Sequence, residues 1–142
     1  MFYPLKLDDG NRNMSKRPGQ FSDCVVRAFA IITGLPYDEI YDTFAKEGRK
    51  PCDGFDSTEW LKKRRGRAFG GVFKPVKVVG RDDRYTQRPH LTPLNFASYH
   101  PKGLFLLEFE NHVWCVKNGV HHDLWRVKQE KPLSGAWEFL TS

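Results

Sequence analysis

Asn111-His112-Val113-Trp114-Cys115-Val116-Lys117-Asn118-Gly119-Val120-His121-His122-Asp123-Leu124-Trp125 reads as a β-hairpin. Asn118-Gly119 is the strongest two-residue hairpin signal, because a type I′ turn needs positive φ at both central residues. With that loop, Lys117 faces Val120, Trp114 faces Asp123 and His112 faces Trp125. The two-residue period of a strand then puts His112, Trp114, Val116, His121, Asp123 and Trp125 on one face. His112 and Asp123 become diagonal neighbours with β-carbons about 7 Å apart or less, within reach for a carboxylate to orient an imidazole tautomer. His122, Val113 and Cys115 point the other way, so Cys115 and His122 are poor candidates for a site on the His112 face. The same parity, with no Cys-x-x-Cys nearby, speaks against zinc, and no metal or cofactor is expected. His121, two positions nearer the turn than Asp123, is expected as an exposed hairpin residue.

Working outward, Leu104-Phe105-Leu106-Leu107-Glu108-Phe109 reads as the buried strand before the hairpin, and Ala136-Trp137-Glu138-Phe139-Leu140 as a last strand. Residues 72–79 are β-rich, and Pro75 marks an edge or a break. Helices are expected over residues 23–33, 37–46, from Asp56 onward with a capping box to Glu59, and from Thr92 with Pro93 at the first position to about Tyr99. Residues 1–19, punctuated by Gly and Pro, are expected as an extended arm, and residues 20–142 as a single domain. Helices first and strands second make an α+β fold, with N-terminal helices packed on a C-terminal antiparallel β-sheet.

The helix over residues 23–33 begins with Ser22 or Asp23 as N-cap and carries Cys24 in its first turn. There, unpaired N–H groups and the positive end of the helix dipole favour a thiolate. Alone, Cys24 reads as a small hydrophobe of the buried face, spaced with Ala28 and Ile31. Joined to the hairpin, Cys24, His112 and Asp123 supply a thiol nucleophile, its base and an orienting carboxylate, which is what a thiol hydrolase needs.

Four stretches carry a family resemblance: Asp23-Cys24-Val25-Val26-Arg27-Ala28, Thr92-Pro93-Leu94-Asn95-Phe96, His100-Pro101-Lys102-Gly103 and the hairpin itself. Together, over about residues 20–125, they resemble small phage-encoded and prophage-encoded proteins of papain-like cysteine-peptidase type. The order of cysteine, histidine and acid is similar to that of papain-like enzymes and of bacteriocin-leader peptidases. The resemblance implies a papain-like fold with Cys24 as nucleophile, His112 as general base and Asp123 as its orienter. Papain-like enzymes place an oxyanion-hole glutamine six positions before the cysteine; here that position is Pro18, and Gln20 stands four before. Gln20 is the oxyanion candidate, with the Cys24 N–H and a further donor as the alternative.

With 142 residues, four Trp, five Tyr and eleven Phe, the chain can fill one core. No stretch approaches the roughly 18 apolar residues of a membrane span, and residues 1–10 lack a signal-peptide layout. Cys24, Cys52 and Cys115 make no even disulfide framework. A cytosolic setting is expected, the host cytosol for a phage-encoded protein, or carriage in a virion. No Gly-rich phosphate loop of the Gly-x-x-x-x-Gly-Lys kind is present. The basic run Lys62-Lys63-Arg64-Arg65-Gly66-Arg67, in a chain of net charge +6, reads either as a solvated helix end or as a contact for phosphate backbones or an acidic partner, with Arg81, Arg84 and Arg88 adding to it.

The leading expectation is therefore a cysteine hydrolase acting on a peptide or protein substrate, as peptidase, isopeptidase or amidase; acyl transfer or deamidation would use the same residues. The alternative is a non-catalytic phage accessory protein on the same scaffold that binds a host protein or nucleic acid through its basic surface.

Overall fold

Two apolar strands at the centre organise the computed structural model, which describes residues 2–82 and 87–141. In chain order the elements are β1 (Leu5–Leu7), a 3-10 turn (Arg12–Met14), α1 (Cys24–Thr33), α2 (Tyr37–Lys46), α3 (Ser57–Lys63), β2 (Arg67–Ala68), β3 (Gly71–Pro75), β4 (Arg81–Asp82), β5 (Gln87–Arg88), α4 (Phe96–Tyr99), β6 (Leu104–Phe109), β7 (His112–Lys117), β8 (Val120–Asp123) and β9 (Gly135–Thr141). Seven strands form one sheet in the order β1-β8-β7-β6-β9-β3-β2, and β4 and β5 pair separately.

β6 and β7 alternate their side chains between two cores, as the two-residue period requires. Leu106, Val113 and Cys115 join Phe29, Phe44, Trp60 and Phe73 in the core beneath α1, α2 and α3. Phe105, Leu107, Trp114 and Val116 join Leu91, Phe96 and Leu133 in the other. The first core is rich in edge-to-face rings: Phe29 lies 5.1 Å from Phe44, and Phe44 lies 5.1 Å from Trp60. Truncating one such ring to alanine costs about 3–5 kcal/mol.

The fold is thus mixed α and β, but the sheet departs from the antiparallel expectation. β1 pairs with β8 in parallel, Leu5 with His121 and Leu7 with Asp123. Residues 1–19, expected as an arm, therefore supply an edge strand and bury Tyr3, whose ring lies 4.0 Å from that of His121. After β1 the chain passes through Gly10 and Asn11, both at φ 66, and crosses α1 so closely that a β-carbon on Gly10 would stand 2.9 Å from the Arg27 carbonyl oxygen. β9 also lies inside the sheet, between β6 and β3.

Local signals account for most boundaries. The turn joining β7 to β8 holds Asn118 at φ 48 and Gly119 at φ 84. Asp56 accepts a hydrogen bond from the Glu59 N–H at 3.0 Å at the start of α3. β2 covers only Gly71 and Val72, so Pro75 ends β3 on a stretch with one open edge, where its missing N–H removes no ladder bond. α4 is shorter than expected. Thr92 and Asn95 first exchange side-chain to backbone bonds in a turn, and the helix begins only at Phe96.

Candidate active site

Cys24 is the first residue of α1, half-buried, in the turn whose N–H groups have no helical acceptor. Asp23 stands at the N-cap position but makes no side-chain cap. Its carboxylate, with no exposed surface, instead accepts from Arg12 at 3.1 Å, from Arg27 one turn along α1, and from the Tyr37 hydroxyl at 2.7 Å. Burial and that carboxylate together keep the Tyr37 phenol protonated.

His112 opens β7 directly after the two-residue turn Glu110–Asn111, with Glu110 at φ 47, and stands opposite Phe109. The hairpin register runs through Lys117↔Val120, Val116↔His121 and Cys115↔His122, in step with the sequence parity. One Asp123 oxygen lies 2.6 Å from His112 Nε2, and the other accepts the Leu124 N–H at 2.8 Å. With Nε2 taken by Asp123, Nδ1 is the ring nitrogen left for Cys24.

The thiol of Cys24 lies 4.0 Å from the Asn111 carbonyl oxygen and faces the His112 ring and the Val113 N–H. Burial alone would raise the Cys24 pKa; hydrogen bonding from His112 and Val113, with the charges of His112 and Arg27, outweighs it and leaves the thiol below its ordinary value. For His112, burial works to lower the pKa, yet hydrogen bonds to Asp123 and Cys24 and their charges push it up to about 9. An acidic thiol beside a basic imidazole is the pattern of a thiolate–imidazolium pair.

Trp114 and Trp125 enclose the imidazole. Their rings stack on His112 at 5.6 and 5.1 Å between centroids. Trp125 lies beyond the end of β8, and half of its surface is exposed. Gln20 is fixed through its Oε1, which accepts from the Cys52 N–H at 2.9 Å; its Nε2 has no hydrogen bond among the described residues. Two clefts meet at His112. One, of about 430 Å³, runs past Phe55, Asp56, Thr58, Glu108 and Glu110. The other, of about 510 Å³, runs past Trp125, Arg126 and Lys128.

The remaining sequence candidates lie elsewhere. Cys115 is fully buried, donates to the Ala28 carbonyl oxygen at 2.8 Å, and has its thiol pushed up by burial. His122 pairs with Asp8 of the arm at 3.0 Å. His121, expected to be exposed, has no exposed surface: it accepts from Trp114 Nε1 at 3.0 Å and lies under Tyr3, and burial lowers its pKa to about 4. The reason is β1, which covers the β8 edge. Among the described residues no group of three or more His, Cys, Asp or Glu is arranged to hold a metal ion.

Lys62, Lys63, Arg64, Arg65 and Arg67 are exposed and span the end of α3, a tight turn and β2. Arg64 lies 4.9 Å over the Trp60 ring, donates to the Arg67 carbonyl oxygen and pairs with Glu47 at 3.9 Å. Arg84 lies outside the described residues.

Sequence reasoning missed the polar set behind the site: Arg12, Asp23, Arg27 and Tyr37. The one visible signal was Arg27, a cation in the middle of an apolar helix. No protein-family model, curated protein or solved structure matches the chain. No helix among the described residues is long and apolar enough to cross a membrane.

Proposed function

We propose that this protein is a cysteine hydrolase of papain-like type that cleaves a peptide, isopeptide or side-chain amide bond. The observation that carries the reading is the His112 imidazole held between the Cys24 thiol and the buried Asp123 carboxylate, 2.6 Å from Nε2. The Cys24 thiolate attacks the carbonyl carbon, the carbon–nitrogen bond breaks, and His112 gives its proton to the leaving amine. Water, deprotonated by His112, then attacks the thioester, releasing the acid and restoring the thiolate. Asp123 keeps the imidazolium oriented and compensates its charge throughout.

The tetrahedral oxyanion needs donors that are in place before the reaction. The Cys24 N–H at the start of α1 is one, and Gln20, whose Oε1 is anchored on the Cys52 N–H, is the candidate for the other through its Nε2. An amine in place of water would give acyl transfer with the same groups.

The test is site-resolved iodoacetamide labelling across pH in the wild type and in His112→Ala, followed by turnover of amide substrates in Cys24→Ala. Cys24 is expected to label fast well below the ordinary thiol pKa of about 8.5 and to lose that reactivity without His112. Turnover is expected to vanish in Cys24→Ala and to fall about 10²–10⁴-fold in His112→Ala. Labelling of Cys24 no faster than Cys52, or turnover that survives Cys24→Ala, would end this mechanism.

A further inference from the structure

Arg27 is 4% exposed, on the same side of α1 as Cys24 three residues earlier. Its guanidinium joins two carboxylates from different elements. NH1 donates to Asp23 at the start of α1, and NH2 lies 3.6 Å from the Asp123 oxygen that does not face His112. The guanidinium carbon lies 5.4 Å from the ring of Trp125, the indole stacked on His112. Neither Nε nor NH2 makes a hydrogen bond among the described residues, so the reach toward Asp123 is a charge contact. Asp23 carries one negative charge and shares it between Arg12 and Arg27, with the Tyr37 hydroxyl as a further donor, so Asp123 is the second carboxylate within reach of the Arg27 guanidinium.

We propose that Arg27 is a positioning residue: by joining Asp23 to Asp123 it turns the Asp123 carboxylate toward His112 and holds the acid in register with the helix that carries Cys24. The inference rests on the thiol-hydrolase reading. An ammonium at this position is a point charge on a flexible stem and does not span two carboxylates, whereas a planar fork does. The charged and titratable groups facing this unit are Asp23 at the N-cap of α1, Cys24 from α1, Arg12 from the 3-10 turn, Tyr37 from α2, His112 and Cys115 from β7, Asp123 from β8 and Tyr3 from the segment before β1.

The experiment is the pH profile of iodoacetamide labelling at Cys24 in wild type, Arg27→Lys, Arg27→Met and the double variant Asp23→Asn/Arg27→Met, each with its melting temperature. In Arg27→Met the half-labelling pH is expected to rise by about one unit, so that labelling at pH 6.5 slows about tenfold. Arg27→Lys is expected to fall between Met and wild type. The double variant, in which residue 23 is uncharged as well, is expected to label as slowly as Arg27→Met whatever its melting temperature. A wild-type profile in the folded Met or double variant, or labelling that recovers in step with the melting temperature, overturns the proposal. Arg27→Lys keeps the positive charge that itself lowers the Cys24 pKa and so separates position from charge: a displaced profile supports the proposal and an unmoved one overturns it, whether or not the other variants fold. Failure of the wild type to show His112-dependent labelling would remove the hydrolase reading first. An unmoved Arg27 profile beside a normal wild type removes only Arg27.

Discussion

Asp123→Asn is expected to lower the pKa of His112 by about one to two units. In the native protein the imidazole is raised from 6.5 to about 9 against the opposing effect of burial, and the largest raising influence is its hydrogen bond to Asp123. At 1.36 kcal/mol per unit, that difference corresponds to roughly 3 kcal/mol favouring the charged ring. A hydrogen bond between charged groups is worth about 1.5–3 kcal/mol. Asparagine keeps the shape and the acceptor for Leu124 N–H but removes the charge, so it forfeits most of that bond. The midpoint of His112 should therefore fall to about 7–8, with Cys24 retaining the remainder. Nitrogen-15 NMR titration of histidine-labelled protein reads that midpoint directly, and a thermal melt confirms that the variant is folded. A folded Asn variant whose midpoint stays within about half a unit of the wild type would refute the reasoning, because the proton would then be held by something other than Asp123.

In a Cys24→Ser background, which removes the opposing titration of the thiol, the raised His112 pKa makes its stabilisation complete below pH 6.5 and lost as pH rises through the folded midpoint; melting temperatures from pH 6 to 10 should fall, and fall less when His112→Gln is added. His121 carries the opposite sign: lowered to about 4, it gives stability present above 6.5 that is lost as pH falls toward 4, and His121→Gln should flatten that acid limb in urea titrations by about 3 kcal/mol. Cys115, buried with its thiol raised, should resist iodoacetamide at pH 8 in the native protein and label as fast as Cys52 in guanidinium; native labelling would mean that the sheet opens locally.

The half of the site on the β7–β8 hairpin was legible because Asn118-Gly119 determines a register and the register determines which side chains share a face. Cys24 at a helix start was legible from the change of polar residues to apolar ones at residue 24. β1 was not: three residues of Leu-Lys-Leu are too short to show a period, and a parallel pairing across more than a hundred residues leaves no local trace. The misreading of His121 follows from that omission, since β1 and Tyr3 cover the side that the hairpin leaves open. Asp23 looked like a cap because short polar residues cap helices. Its actual partners, Arg12 and Tyr37, are supplied by segments whose meeting depends on the tertiary fold.

The stacking of His112 between Trp114 and Trp125 gives the protein a built-in optical reporter. An imidazolium accepts electron density from an excited indole where a neutral imidazole does so poorly, and the indole faces in turn attract the cation. Loss of the proton from the proposed base should therefore brighten the emission of the two neighbouring indoles, so that the state of the site can be followed in unlabelled protein, turnover by turnover, without a chromogenic substrate.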